Sequence, residues 1–201
     1  MKKNLKIFLL LCVSVLVSNC AFFSKKDFKN DYTTINESNI LSFNGKYTFF
    51  PVKKFDSKNK NADFDLSGNY INSYNNITNE SLKFEDRDSI LKGTTIYHIE
   101  LNLVDNTALN IELFKNNYSI KKQQIKGILK KDGMFYLDNK FLKCTGIPYL
   151  FGGCNNNKRR IAISKNNNLI VNEAVDNTGA LLFLLWGGLS YNSAYEFKRL
   201  Q

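Results

Sequence analysis

From Tyr97 to Leu113 apolar residues recur at every second position. Tyr97, Ile99, Leu101 and Leu103 alternate with His98, Glu100 and Asn102, and Leu109, Ile111 and Leu113 resume the pattern after Asp105-Asn106-Thr107. A period of two puts successive side chains on opposite faces of a strand, whereas a helix would scatter them around its axis. The chain therefore has to build a sheet with one buried face. Residues directly opposite in an antiparallel pair share a face. A two-residue Asp105-Asn106 loop would set Leu101 against Asn110 and mix the faces. A three-residue loop, Asp105 to Thr107, sets Leu103 by Leu109, Leu101 by Ile111 and Ile99 by Leu113, and one face is then wholly apolar. The same register sets Glu100 opposite Glu112. Like charges across a ladder are unfavourable, so this pair either holds a cation or is neutralised by a lysine such as Lys122 or Lys126.

Similar runs fill the rest of the chain from about Leu41. Phe43 to Phe50 is one, and Ile120, Ile125, Gly127 and Leu129 form another that needs a slip or bulge at Lys121 to Gln124 to stay on one face. Asp132-Gly133 is a strong hairpin signal and Asp138-Asn139 a weaker one. Lys140 to Thr145, Arg160 to Lys165, Leu169 to Ala174, Ala180 to Gly187 and Tyr195 to Leu200 complete a set of about nine or ten strands, spaced roughly 8–12 residues apart. Residues 76–92 leave room for a short helix. The fold expected for residues 41–201 is all-β: a single antiparallel up-and-down barrel or a strongly curved sheet. Gly45-Lys46-Tyr47 near the start and Tyr195-Glu196-Phe197-Lys198 at the end resemble lipocalin-like barrels, with Tyr47 where that family has Trp. The resemblance implies architecture only.

The N-terminus reads as an address. Lys2, Lys3 and Lys6 precede an apolar run from Ile7 to Val17. That run is too short for a spanning helix, which needs about 20 residues, and fits a secretory signal. Val17-Ser18-Asn19-Cys20 follows, and here the chain resembles the bacterial lipoprotein class, with Asn19 where Gly, Ala or Ser is usual. The resemblance implies cleavage of residues 1–19 and a covalent lipid on Cys20. Ala21 after the cysteine, rather than Asp, implies the outer membrane over the inner one by Gram-negative sorting. One acyl chain binds a membrane marginally and two or three bind it durably.

Residues 20–40 show no clean period and read as a lipidated start and flexible tether, spanning about 25 Å as a coil and roughly 70 Å stretched. Lys25, Lys26 and Lys29 stand near the anchor, in reach of anionic headgroups. The chain has 28 Lys and Arg against 18 Asp and Glu. Three of the 28 leave with the signal, so the mature chain carries 25 against 18, a net +7. The basic runs Lys53-Lys54, Lys121-Lys122, Lys130-Lys131 and Lys158-Arg159-Arg160 are scattered in sequence. They carry no nucleic-acid motif and suit a solvated surface or an anionic envelope polymer.

Of the four cysteines, Cys12 leaves and Cys20 is lipidated. Cys144 and Cys154 remain as a disulfide candidate in an oxidising compartment. They flank a loop-like Gly146 to Gly153. Two thiols with no histidine nearby make no metal site. His98, the only histidine, is expected on the solvent face of its strand. No Gly-x-Ser-x-Gly elbow accompanies it, and no catalytic residue is assigned. The stretch Leu181 to Trp186 fits a strand buried on both faces; otherwise one of its faces lines a ligand cavity or rests on lipid. Trp186, Phe183 and Tyr97 are the candidate ligand or lipid contacts. The expected function is a non-catalytic envelope lipoprotein that binds a small apolar ligand in a barrel cavity and needs no cofactor beyond its lipid. The alternative is a structural or interaction lipoprotein, with a hydrolase-like enzyme behind both. A hollow interior favours the first; a filled one favours surface interactions.

Overall fold

The computed structural model describes residues 21–55, 71–82, 87–147, 151–181 and 185–201. The protein is all-β. Among the described residues, twelve strands form one antiparallel sheet: β1 Tyr32–Thr33, β2 Gly45–Thr48, β3 Lys53–Phe55, β4 Tyr97–Asp105, β5 Ala108–Lys115, β6 Tyr118–Leu129, β7 Phe135–Leu137, β8 Phe141–Ile147, β9 Phe151–Ser164, β10 Leu169–Leu181, β11 Leu185–Phe197 and β12 Arg199–Leu200. The order is β12-β2-β4-β5-β6-β7-β9-β10-β11-β3, with β1 and β8 also paired to β9. The sheet is not a closed barrel; it is the curved sheet of the two expected forms, with more strands than the spacing suggested. Its path ends on β12 and β3; between the β2–β12 and β3–β11 ladders the Thr48 amide donates to the Lys198 carbonyl and that of Val52 to Glu196. Two short helices, α1 Ser73–Thr78 and α2 Arg87–Leu91, lie in and just before the region read as helical.

The β4–β5 register is the one the alternation dictates: Leu103 faces Leu109, Leu101 faces Ile111 and Ile99 faces Leu113. The turn itself is tighter than expected. Asp105 pairs with Ala108, and Val104 is bulged outward and exposed. The bulge preserves the apolar face that a plain two-residue loop would scramble. In β6 the slip falls one residue earlier than predicted: Leu113 pairs with Lys121 but Phe114 with Ser119, so Ile120 is thrown out to solvent. Glu100 and Glu112 do stand opposite each other. Lysines neutralise them: Lys46 lies 2.9 Å from Glu100 and Lys122 2.9 Å from Glu112. Glu112 is held below its usual carboxylate range by a Ser119 hydrogen bond and by Lys122, against a smaller opposing effect of burial.

The chain divides into two compact units. The larger comprises Phe23–Lys140, Lys158–Ala174 and Asn192–Gln201. Its inner face is filled with Ile99, Leu109, Ile111, Leu113, Phe135, Ile161, Val171 and Phe197 among others, all essentially inaccessible to solvent. A second cluster covers part of the outer face: Phe28, Phe55, Met134, Ala162, Ile170 and Ala194. Neighbours such as Ile161 and Ala162 thus face different cores, as expected where a sheet is covered on both sides.

Phe28 corrects the reading of residues 20–40 as a flexible tether. Among the described residues, 23–40 are a strap packed on the sheet. Tyr32 and Thr33 pair with Ser164 and Ile163 of β9. Phe28, 1% exposed, and Ile35, 3% exposed, are buried, and each contributes about 1.5–3 kcal/mol against the entropy of ordering the strap. Asn36 then caps a 3-10 helix, Glu37–Phe43, by accepting from the Ser38 amide. Gly133 lets the strap in. Its φ is +76°, and a Cβ there would lie 2.6 Å from the Ile35 nitrogen, whose amide donates to the Gly133 carbonyl.

The smaller unit contains Phe141–Asn157 and Val175–Tyr191. The described residues between its cysteines, in a stretch read as loop-like, are strand: β8 and β9 pair from Phe141↔Asn157 to Ile147↔Phe151. Cys144 and Cys154 are direct ladder partners and are joined by a disulfide. Closing ten residues of chain restricts the open state by about 3 kcal/mol in the loop-entropy view. We expect Cys154→Ser, or reduction, to speed amide exchange across 141–157 while leaving β5 unchanged, as read by hydrogen-exchange mass spectrometry. Phe183 lies outside the described residues; Trp186 belongs to β11 by its backbone.

Candidate cationic cleft

The partners of β9 change along its length. β8 pairs with it as far as Asn157, β7 only at Arg160 and Ile161, and β1 at Ile163 and Ser164. The changeover from β8 to β7 falls at Lys158-Arg159, because β7 is three residues long and its ladder with β9 ends at Tyr136. A cleft of about 530 Å³ opens there, within the larger unit.

Strand alternation selects its lining. Ile128 faces Tyr136, and Tyr136 faces Arg160, so these residues share the outer face. Two positions away on the same strands or just past their ends, the same face holds Lys126, Lys130, Asp138 and Lys158. Lys140 and Arg159 also reach the cleft. Five cations thus converge with one acid, Asp138. Arg159 is paired with Glu173, 2.5 Å away, and Lys126, Lys130, Lys140 and Lys158 line the cleft beside Asp138.

The floor is aromatic and rigid. Tyr136 donates to Asp132 at 2.8 Å and accepts from Arg160 Nη1 at 2.7 Å. Burial and the Asp132 hydrogen bond raise its pKa, so the phenol stays protonated. Phe23 stands edge-on to Tyr136 with ring centres 5.3 Å apart. The Arg160 guanidinium lies 4.5 Å from the Phe23 ring centre, and Lys130 Nζ lies 4.0 Å from that of Tyr136. Arg160 is the hub: 3% exposed, it also donates to Asn172, to Asp132 and to the Ser24 carbonyl. Aromatic faces beside clustered ammonium groups accept an anion that carries a flat or apolar part.

The sequence reading missed this site. The basic runs are scattered in sequence, yet the fold brings Lys130 and Lys158-Arg159 to one cleft. The available signal was the alternation Lys126-x-Ile128-x-Lys130, a basic stripe on the outer face of a strand. Tyr97 lines no part of the cleft. It is 9% exposed and packs on Phe49 in the inner core, with ring centres 5.0 Å apart. On the inner face, where a barrel cavity was expected, the described residues form a contiguous cluster of buried apolar side chains.

Comparison with family models, curated proteins and solved structures returned no match. The reading of the cleft therefore rests on its own chemistry.

His98 also departs from expectation. It is buried at 5% exposure, not solvent-facing, because Phe114 stacks on its ring at 4.8 Å and nearly parallel. Its Nε2 lies 3.8 Å from Glu100. Burial first and Lys46 second pull its pKa below 6.5, and Glu100 opposes them. The folded state thus binds the proton less well than the unfolded one. Stability is undiminished above pH 6.5 and falls as pH drops below it, until the folded ring protonates. We expect the urea midpoint to decline between neutral and mildly acidic pH in the native sequence and to decline less in His98→Asn.

Proposed function

We propose that this protein is a non-catalytic, lipid-anchored protein of the cell envelope, whose β domain binds an anionic ligand with an aromatic or apolar part. The anchor reading draws on the signal and Cys20, and it favours the outer membrane. The binding reading is carried by one observation: Lys126, Lys130, Lys140 and Lys158 line the cleft around its Phe23–Tyr136 floor, with Asp138 the one acid in that lining. The packed inner core favours a surface ligand over a cavity ligand, so anionic partners replace the small apolar one.

Naphthyl phosphate tests the binding reading on the protein held in zwitterionic vesicles. It is expected to bind, and neutral naphthol to bind far less. Lys126→Glu with Lys130→Glu, both exposed positions, is expected to weaken binding roughly tenfold at low salt. Equal affinity for phosphate and alcohol would reject the reading.

A further inference from the structure

The cleft and the anchor are close along the chain. Phe23 lines the cleft, and the residues around it are pinned. Arg160 Nη2 donates to the Ser24 carbonyl at 3.2 Å, the Ser24 amide donates to Asn192 Oδ1 at 2.8 Å, and Phe23 is held against Tyr136 and Arg160. Cys20 precedes Phe23 by three residues, which reach at most about 11 Å. A flexible tether of the length read from the sequence would hold the domain about 25 Å away. The difference decides the electrostatics. At physiological salt the screening length is about 8 Å, so charges beyond two or three such lengths scarcely feel a membrane, whereas charges within about one do.

We propose that the occupant of the cleft is the phosphate headgroup of an anionic phospholipid in the bilayer that holds Cys20. This rests on the anchor and anion-binding readings above and names their ligand. The docked strap acts as a short leash: it keeps Lys126, Lys130, Lys140 and Lys158 at the lipid–water boundary. Phosphate oxygens meet the ammonium groups there, and the glycerol and upper acyl carbons meet Phe23 and Tyr136. Phe22, 76% exposed and two residues from Cys20, adds an apolar side chain next to the leash.

The test uses the processed, full-length protein in vesicles of phosphatidylcholine alone or with about 30 mol% phosphatidylglycerol. Intact mass first establishes the acyl groups on residue 20. Amide exchange over 126–130 and 136–140 is then compared between the two vesicles. We expect roughly tenfold slower exchange with the anionic lipid, lost at about 1 M salt and absent in Lys126→Glu with Lys130→Glu. Equal exchange in the two vesicles overturns the inference. If soluble glycerophosphoglycerol then slows exchange in phosphatidylcholine vesicles, anion binding stands and only the membrane occupant fails. If neither that anion nor naphthyl phosphate acts, the binding reading fails as well. An unacylated N-terminus overturns the inference through its anchor, and the soluble anions still judge the cleft.

Discussion

Arg160→Ala is expected to destabilise the larger unit by about 3 kcal/mol and to release the N-terminal strap. Arg160 is the only cation within ion-pair distance of Asp132 among the described residues, at 3.2 Å, and it donates to Tyr136, Asn172 and the Ser24 carbonyl. Removing one partner of a buried ion pair leaves the other charge without compensation, at about 3–5 kcal/mol. The low end applies because the Asp132 side chain keeps 22% of its exposure and still accepts from the Tyr136 hydroxyl. Denaturant unfolding reads the first effect. The second is more diagnostic: exchange at Ser24, whose amide donates to Asn192, should rise toward that of an open chain before global unfolding. A stability change below about 1 kcal/mol, within the range of an exposed ion pair, would mean that the hub is replaceable by water.

Phe135→Ala is expected to lose about 3–5 kcal/mol, the usual range for truncating a buried aromatic ring. Phe135 is fully buried in the inner core and packs on Phe43, with ring centres 6.1 Å apart. It also sits against Gly127, where a Cβ would come within 2.3 Å of its ring. That contact makes the site unable to collapse on the ring's loss, since no side chain at 127 can fill the space. A matching prediction separates shape from hydrophobicity: Phe135→Leu should cost less than half as much, because it fills most of the volume. Thermal unfolding of both variants reads the difference.

Local alternation was enough to read the β4–β5 hairpin to the residue pair, because only one register puts Ile99, Leu101 and Leu103 with Leu109, Ile111 and Leu113. It failed where both faces are covered. Ile161-Ala162-Ile163 and Leu169-Ile170-Val171 show no polar alternation because Ala162 and Ile170 lie under the strap. The clue to a docked strap was thus in β9 and β10, not in the strap itself, whose own residues have no period. The lengths of β9 to β11 were underread for a related reason. Polar residues such as Asn155 to Asn157 look like loop residues, yet they are strand residues paired with β8. The cleft required pairing information: Lys126 and Lys158 are 32 positions apart, and only a three-residue β7 between β6 and β9 brings them to one opening.

The cover over the outer core has a practical corollary. Phe28 and Tyr32 shield Met134, Ala162, Ile170 and Ala194 from water. A recombinant chain trimmed to begin at residue 36, on the view that everything earlier is linker, would leave a greasy window on a sheet whose β9 had also lost its β1 partner. Such a chain would self-associate through that window, and its poor solubility would be an artefact of the trimming.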